Sequence, residues 1–87
     1  METRSAAVMR IRVELSSALR RYVPEYDPER GYTLELPPGS DAASLIKALG
    51  IPAKEITVIM VNRQAAPREH VLADGDLVGL FPALGGG

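Results

Sequence analysis

The segment that most limits the fold is PPGSDAASLIKALGIP, residues 37–52, where Ala42, Leu45, Ile46 and Leu49 recur at i, i+3, i+4 and i+7. Ser40 or Asp41 supplies the N-cap, Gly50 is the C′ residue, and Pro52 bars continuation, so the main helix is bounded on both sides. A helix with one apolar stripe must bury it against something else. The remaining apolar segments are short and strand-like, which makes that something a sheet.

MRIRVEL, residues 9–15, alternates Met9, Ile11, Val13 and Leu15 with Arg10, Arg12 and Glu14, the pattern of a half-buried strand. Leu15, Ala18, Leu19, Tyr22 and Val23 then fall at helical spacing, predicting a short amphipathic helix over Ser16–Tyr22 that stops near Pro24. EYDPERG reads as an exposed loop, followed by a second strand with Tyr32, Leu34 and Leu36 alternating. ITVIMVN, 56–62, is β-branched and nearly all apolar, as expected of a central strand covered on one side by the helix. Either Val58 and Met60 or Ile59 and Val61 must then face away from the helix, a candidate docking surface unless a loop covers it. NRQAAPREHVLADGD is turn-rich, with Val71 and Leu72 as core candidates and a tight turn at Asp74-Gly75-Asp76 that calls for positive φ at Gly75. DLVGLFP is the last strand.

The expected class is therefore α+β: a mixed sheet of four to five strands on one main helix, with a short helix after the first strand. A chain of 87 residues supports a single core. The readings divide it into an extension at 1–8, a folded domain at 9–84 and a glycine tail at 85–87.

Ten basic against eleven acidic residues, with no basic stripe interleaved by aromatics, argue against a nucleic-acid partner. The chain has no cysteine, which closes off disulfides and Cys-ligated metal and points to a cytoplasmic location. The apolar runs are too short to span a bilayer, and METRSAAV lacks the apolar segment of a signal peptide.

Catalytic chemistry finds little support. His70 is the only histidine, and one His without Cys cannot supply a metal site of the usual N and S kind, so it reads as a turn residue and no metal is expected. Asp74 and Asp76 flank a glycine, which a tight turn selects without any acid–base role. No nucleophile elbow surrounds Ser16, Ser17, Ser40 or Ser44, and no phosphate-binding glycine loop precedes a helix. Along the last strand, Val78 and Leu80 pointing inward would turn Leu77, Gly79 and Phe81 outward. Phe81 then either meets a partner or closes the bottom of the core above a glycine that permits close approach.

IMVN at 59–62, VLADGD at 71–76 and LFPALGGG at 80–87, in this order and spacing, resemble the ubiquitin-like sulfur carriers: the small subunit of molybdopterin synthase and the thiamine-pathway carrier. The resemblance runs from Met9 to Gly87 and implies a ubiquitin-like β-grasp fold. Arg63 stands where that family commonly has Gly, which puts a type I′ turn in question, and Ala83 where a second Pro is common.

The same resemblance implies that the Gly87 carboxylate is adenylated and converted to a thiocarboxylate. Gly85, Gly86 and Gly87 would thread a partner's channel without Cβ atoms, and Phe81, Pro82, Leu84 and Met60 would form the partner interface. No cofactor is expected on this chain; ATP belongs to the activating partner. The implied partners are a large molybdopterin synthase subunit or equivalent acceptor enzyme, an adenylyltransferase related to ubiquitin-activating enzymes, and a sulfur donor. SSALRRY after the first strand favours the molybdopterin branch over the thiamine one. The competing readings are a protein modifier joined through Gly87 to lysines, and a β-grasp module that binds through its sheet alone.

Overall fold

The computed structural model describes residues 8–82. Five strands form one mixed sheet: β1 (Met9–Leu15), β2 (Tyr32–Leu36), β3 (Val58–Val61), β4 (Gln64–Ala65) and β5 (Leu77–Phe81). Their order is β2-β1-β5-β3-β4. β1 lies antiparallel to β2 and parallel to β5, while β3 lies antiparallel to both β5 and β4. One α-helix among the described residues, α1 (Ala42–Leu49), covers the inner face. This is the helix-on-mixed-sheet architecture that the resemblance implies.

The alternation in β1 sends Met9, Ile11, Val13 and Leu15 into the core and Arg10, Arg12 and Glu14 outward. Val78 and Leu80 from β5 and Ile59 and Val61 from β3 face the same way, and meet Ala42, Leu45, Ile46 and Leu49 of α1. The helix is held at both ends. Asp41 is the N-cap, its Oδ1 accepting from the Ser44 amide and hydroxyl, both at 2.9 Å. Ser40 instead donates its hydroxyl to the Pro37 carbonyl. Gly50, at φ 77°, supplies the left-handed C-cap. The Ala42 and Ala43 amides donate to the His70 and Arg68 carbonyls, so the loop before β5 closes over the helix start.

The short helix expected after β1 is present as a 3-10 helix, Ser17–Tyr22, entered from an extended Ser16. It is short and ends where Pro24 forces Val23 out of the helical region. β3 is not the central strand. That place belongs to β5, which pairs on both sides, while β3 has only two-residue β4 beyond it. β4 falls within the segment expected to be turn, and a 3-10 turn, Ala53–Glu55, links α1 to β3. Val71, read as core, is 61% exposed while Leu72 is buried, because consecutive residues in extended chain point to opposite sides and Val71 pairs with Asp41 by its backbone. The turn after β3 does have positive φ at both central residues, 51° at Asn62 and 70° at Arg63, despite the missing glycine.

Candidate functional site

Strand pairing decides what the outer face of the sheet presents. Glu14, Gly79, Met60 and Ala65 lie side by side across β1, β5, β3 and β4. On one side of that row sit Arg12 and Leu77, and on the other Phe81 and Val58. The β1–β2 half of the face is polar, with Arg10, Arg12, Glu14, Thr33 and Glu35. The β5–β3–β4 half is apolar, with Leu77, Phe81, Val58, Met60 and Ala65.

Parity therefore puts Val58 and Met60 outward. Phe81 points outward, 40% exposed, and does not close the core. Val58, 41% exposed, pairs with it on the neighbouring strand. Glu14, Met60, Arg63, Leu77, Gly79 and Phe81 line a shallow hollow of about 170 Å³. An open apolar strip flanked by charges suits a protein surface better than a small substrate.

β5 also determines where the chain leaves the sheet. The Leu80 carbonyl accepts from the Ser16 amide at 3.2 Å and the Phe81 carbonyl from the Thr57 amide at 2.9 Å, so the strand is gripped on both sides up to its last residue. Pro82, half-buried, follows at once. Of the residues expected at the site, Met60 and Phe81 are thus brought to the outer face, and Pro82 follows Phe81 where β5 ends. Leu84, Gly85, Gly86 and Gly87 lie outside the described residues. Val58, Ala65, Glu14 and Arg63 complete the surface. Ala65 and Glu14 could not be read from the sequence because their positions follow from which strands pair, not from local periodicity.

The acidic turn is structural. Asp74 Oδ1 accepts from the Arg10 amide at 2.7 Å, and the Gly75 amide returns a bond to the Arg10 carbonyl at 2.8 Å. Asp76 accepts from the Asn62 side-chain amide and the Ala73 amide, and Asn62 Oδ1 accepts from the Leu77 amide. These bonds tie the β3–β4 turn to the start of β5. His70 is exposed. Among the described residues no group of three or more His, Asp or Glu is placed to hold a metal, and no helix is long and apolar enough to cross a membrane.

The model of the family described as Mut7-C ubiquitin matches residues 8–85. No curated protein sequence matches the chain. Among solved structures, the solution structure of the HVO 2177 protein of Haloferax volcanii superposes with a TM-score of 0.75 at 16% identity, over 97% of this chain and 92% of that one. Small archaeal modifier protein 1 of the same organism gives 0.68 at 18% identity, over 87% and 99%. A Pyrococcus furiosus protein described as molybdopterin converting factor, subunit 1, gives 0.68 at 22% identity, over 87% and 99%. At these identities the likeness is one of fold, and the fold is the ubiquitin-like β-grasp.

Proposed function

The chain belongs to the Mut7-C ubiquitin family, and from that premise we propose that it is a ubiquitin-like sulfur carrier, acting in the cytoplasm through the carboxylate of Gly87. The observation that carries this reading is the placement of β5: a central strand that runs past an exposed apolar half-face and ends at Phe81, just ahead of the glycine run Gly85, Gly86 and Gly87. Recognition and reaction are thereby separated. Leu77, Phe81, Val58 and Met60 dock on a partner, together with Pro82 and Leu84, while Gly85, Gly86 and Gly87 enter its active site.

The chemistry needs a partner because the reaction consumes ATP and a sulfur donor, for which this chain carries no phosphate-binding glycine loop and no cysteine. A carboxylate is a poor electrophile. Attack of a Gly87 oxygen on the α-phosphate of ATP, held by an adenylyltransferase, expels pyrophosphate and leaves a mixed anhydride with AMP as leaving group. A persulfide from the sulfur donor then displaces AMP, and thiol cleavage of the resulting acyl disulfide leaves the thiocarboxylate. This chain's part is to bind, to thread, and to present an unhindered acyl carbon; it is not itself an enzyme.

The acceptor proposed is the large subunit of molybdopterin synthase, supported by the likeness of fold to the P. furiosus protein described as molybdopterin converting factor, subunit 1. A second reading, a modifier joined to lysines, is favoured by the likeness to small archaeal modifier protein 1. Intact mass spectrometry of the protein isolated from its own host separates them. An oxygen-to-sulfur exchange at Gly87 is the expected result. Isopeptide conjugates instead would move the assignment to the modifier, and an unaltered terminus would remove both.

A further inference from the structure

Phe81 stands as a ridge between two hollows. The first is the apolar one over Gly79 and Met60. The second, about 320 Å³, lies on the β1 side, where Ser16, Arg20, Tyr26 and Pro28 line it with Phe81 and Glu14. None of the four was expected to serve a site.

Arg20 is an ordered cation on the wall of this second hollow. Its Nε–H donates to the Leu15 carbonyl at 3.1 Å, and its guanidinium carbon sits 5.1 Å from the centroid of the Tyr26 ring. Tyr26 is anchored in turn, its hydroxyl oxygen accepting from the Leu15 amide at 3.1 Å. The guanidinium is therefore held over the Tyr26 ring and fixed at its Nε edge, and its Nη hydrogens make no hydrogen bond among the described residues. Arg21 is also ordered by a ring, its Nη donating to the Tyr22 hydroxyl at 3.0 Å with its guanidinium carbon 4.9 Å from that ring, but it does not line this hollow. Glu14 lines the same hollow without pairing to Arg20 within the described residues. A cation already ordered by stacking and one hydrogen bond loses little freedom on gaining a second partner, and its planar fork matches a carboxylate.

We propose that this hollow is a carboxylate subsite: the protein that handles the tail seats an apolar side chain over Gly79 and, across the Phe81 ridge, an Asp or Glu carboxylate on Arg20. The identity of that protein rests on the carrier reading above; the subsite does not.

The test uses 4-phenylbutyrate, an apolar ring and a carboxylate in one small probe, and its neutral counterpart 4-phenylbutyramide, titrated into the full chain and followed by ¹⁵N NMR including the arginine Nε–H signals. Saturable shifts at Arg20 Nε, Ser16 and Phe81 are expected. The acid should bind about two- to fivefold more tightly than the amide, the range of a partly exposed ion pair. Arg20→Gln should erase that preference. Glu14→Gln, at an exposed position, should strengthen it and keeps the test decisive if Arg20→Gln does not fold. Equal binding of acid and amide, a preference that survives Arg20→Gln, shifts centred on Arg63 or Arg12, or no saturable shift with either probe would each overturn the subsite. An Arg20-dependent preference in a chain never found as a thiocarboxylate would instead retain the subsite and remove the carrier reading.

Discussion

The ring of Phe81 lies across Gly79: a methyl group built on Gly79 would come within 3.1 Å of Phe81 Cε1 and 3.4 Å of Cζ. Glycine there costs strand propensity but lets the only phenylalanine in the chain fold onto the sheet beside Met60. Gly79→Ala should leave the fold intact, because the obstructing atoms belong to an exposed side chain, yet push the ring off the surface. A single 4-fluorophenylalanine label reports it directly. An unchanged fluorine resonance in the variant would contradict the contact.

Leu80 and Phe81 are adjacent but face opposite sides of β5, so their truncations should separate stability from docking. Leu80→Ala empties a fully buried position and is expected to cost about 2–5 kcal/mol in urea unfolding. Phe81→Ala is expected to cost about 1 kcal/mol or less, while weakening adenylation of the tail by the partner enzyme. Comparable losses of stability in the two variants would contradict the outward assignment of Phe81.

Arg63 sits at φ 70°, a conformation that disfavours any residue with a Cβ. Left-handed strain of about 1–2 kcal/mol, set against the extra unfolded-state freedom of glycine of about 0.5–1 kcal/mol, predicts that Arg63→Gly stabilises the chain by about 0.5–1 kcal/mol. Urea midpoints of the two proteins check the sign.

The Asp41 carboxyl is held below the ordinary aspartate value by the bond from the Ser44 amide, with a further contribution from the Ser44 hydroxyl. A depressed folded-state value means that the folded chain binds fewer protons than the unfolded one as acid is added. The stabilisation is complete above the ordinary value of 3.8 and is lost as pH falls through the depressed one. Asp41→Asn keeps a capping oxygen but no charge, so its melting temperature should lose less than that of the parent chain on acidification below about pH 4. Parallel melting curves from pH 5 to pH 2 would exclude the carboxylate as the source.

Gly86→Val tests the tail without touching the domain. Urea unfolding should be unchanged, and, if the tail threads a narrow channel as the carrier reading proposes, ATP–pyrophosphate exchange with the host's adenylating enzyme should fall to background, because a β-branched side chain would not pass where glycine does. Normal exchange by the variant would remove the threading argument.

What local pattern could reveal, it did: the alternation of Met9 to Leu15, the i, i+3, i+4, i+7 set of α1 and the Gly75 turn all appear where periodicity and turn chemistry put them. Local pattern could not say that β5 lies between β1 and β3, because which strands become neighbours depends on pairing between distant segments. β4 escaped notice for a related reason: Gln64 and Ala65 have no strand propensity of their own and are extended only because Met60 and Val61 pair with them. The site divides in the same way. Parity left Met60 and Phe81 with two possible faces each, and strand pairing with burial made the choice, whereas Arg20 became visible only through its distance to Tyr26, a residue in what reads as an ordinary loop.

The pairing of β5 on both sides also has a mechanical meaning. A pull on Phe81 along the strand axis is borne by the bonds to β1 and β3 together, in shear, instead of parting them one after another. Under the carrier reading, that is the property a body needs if its end is to be drawn into another protein.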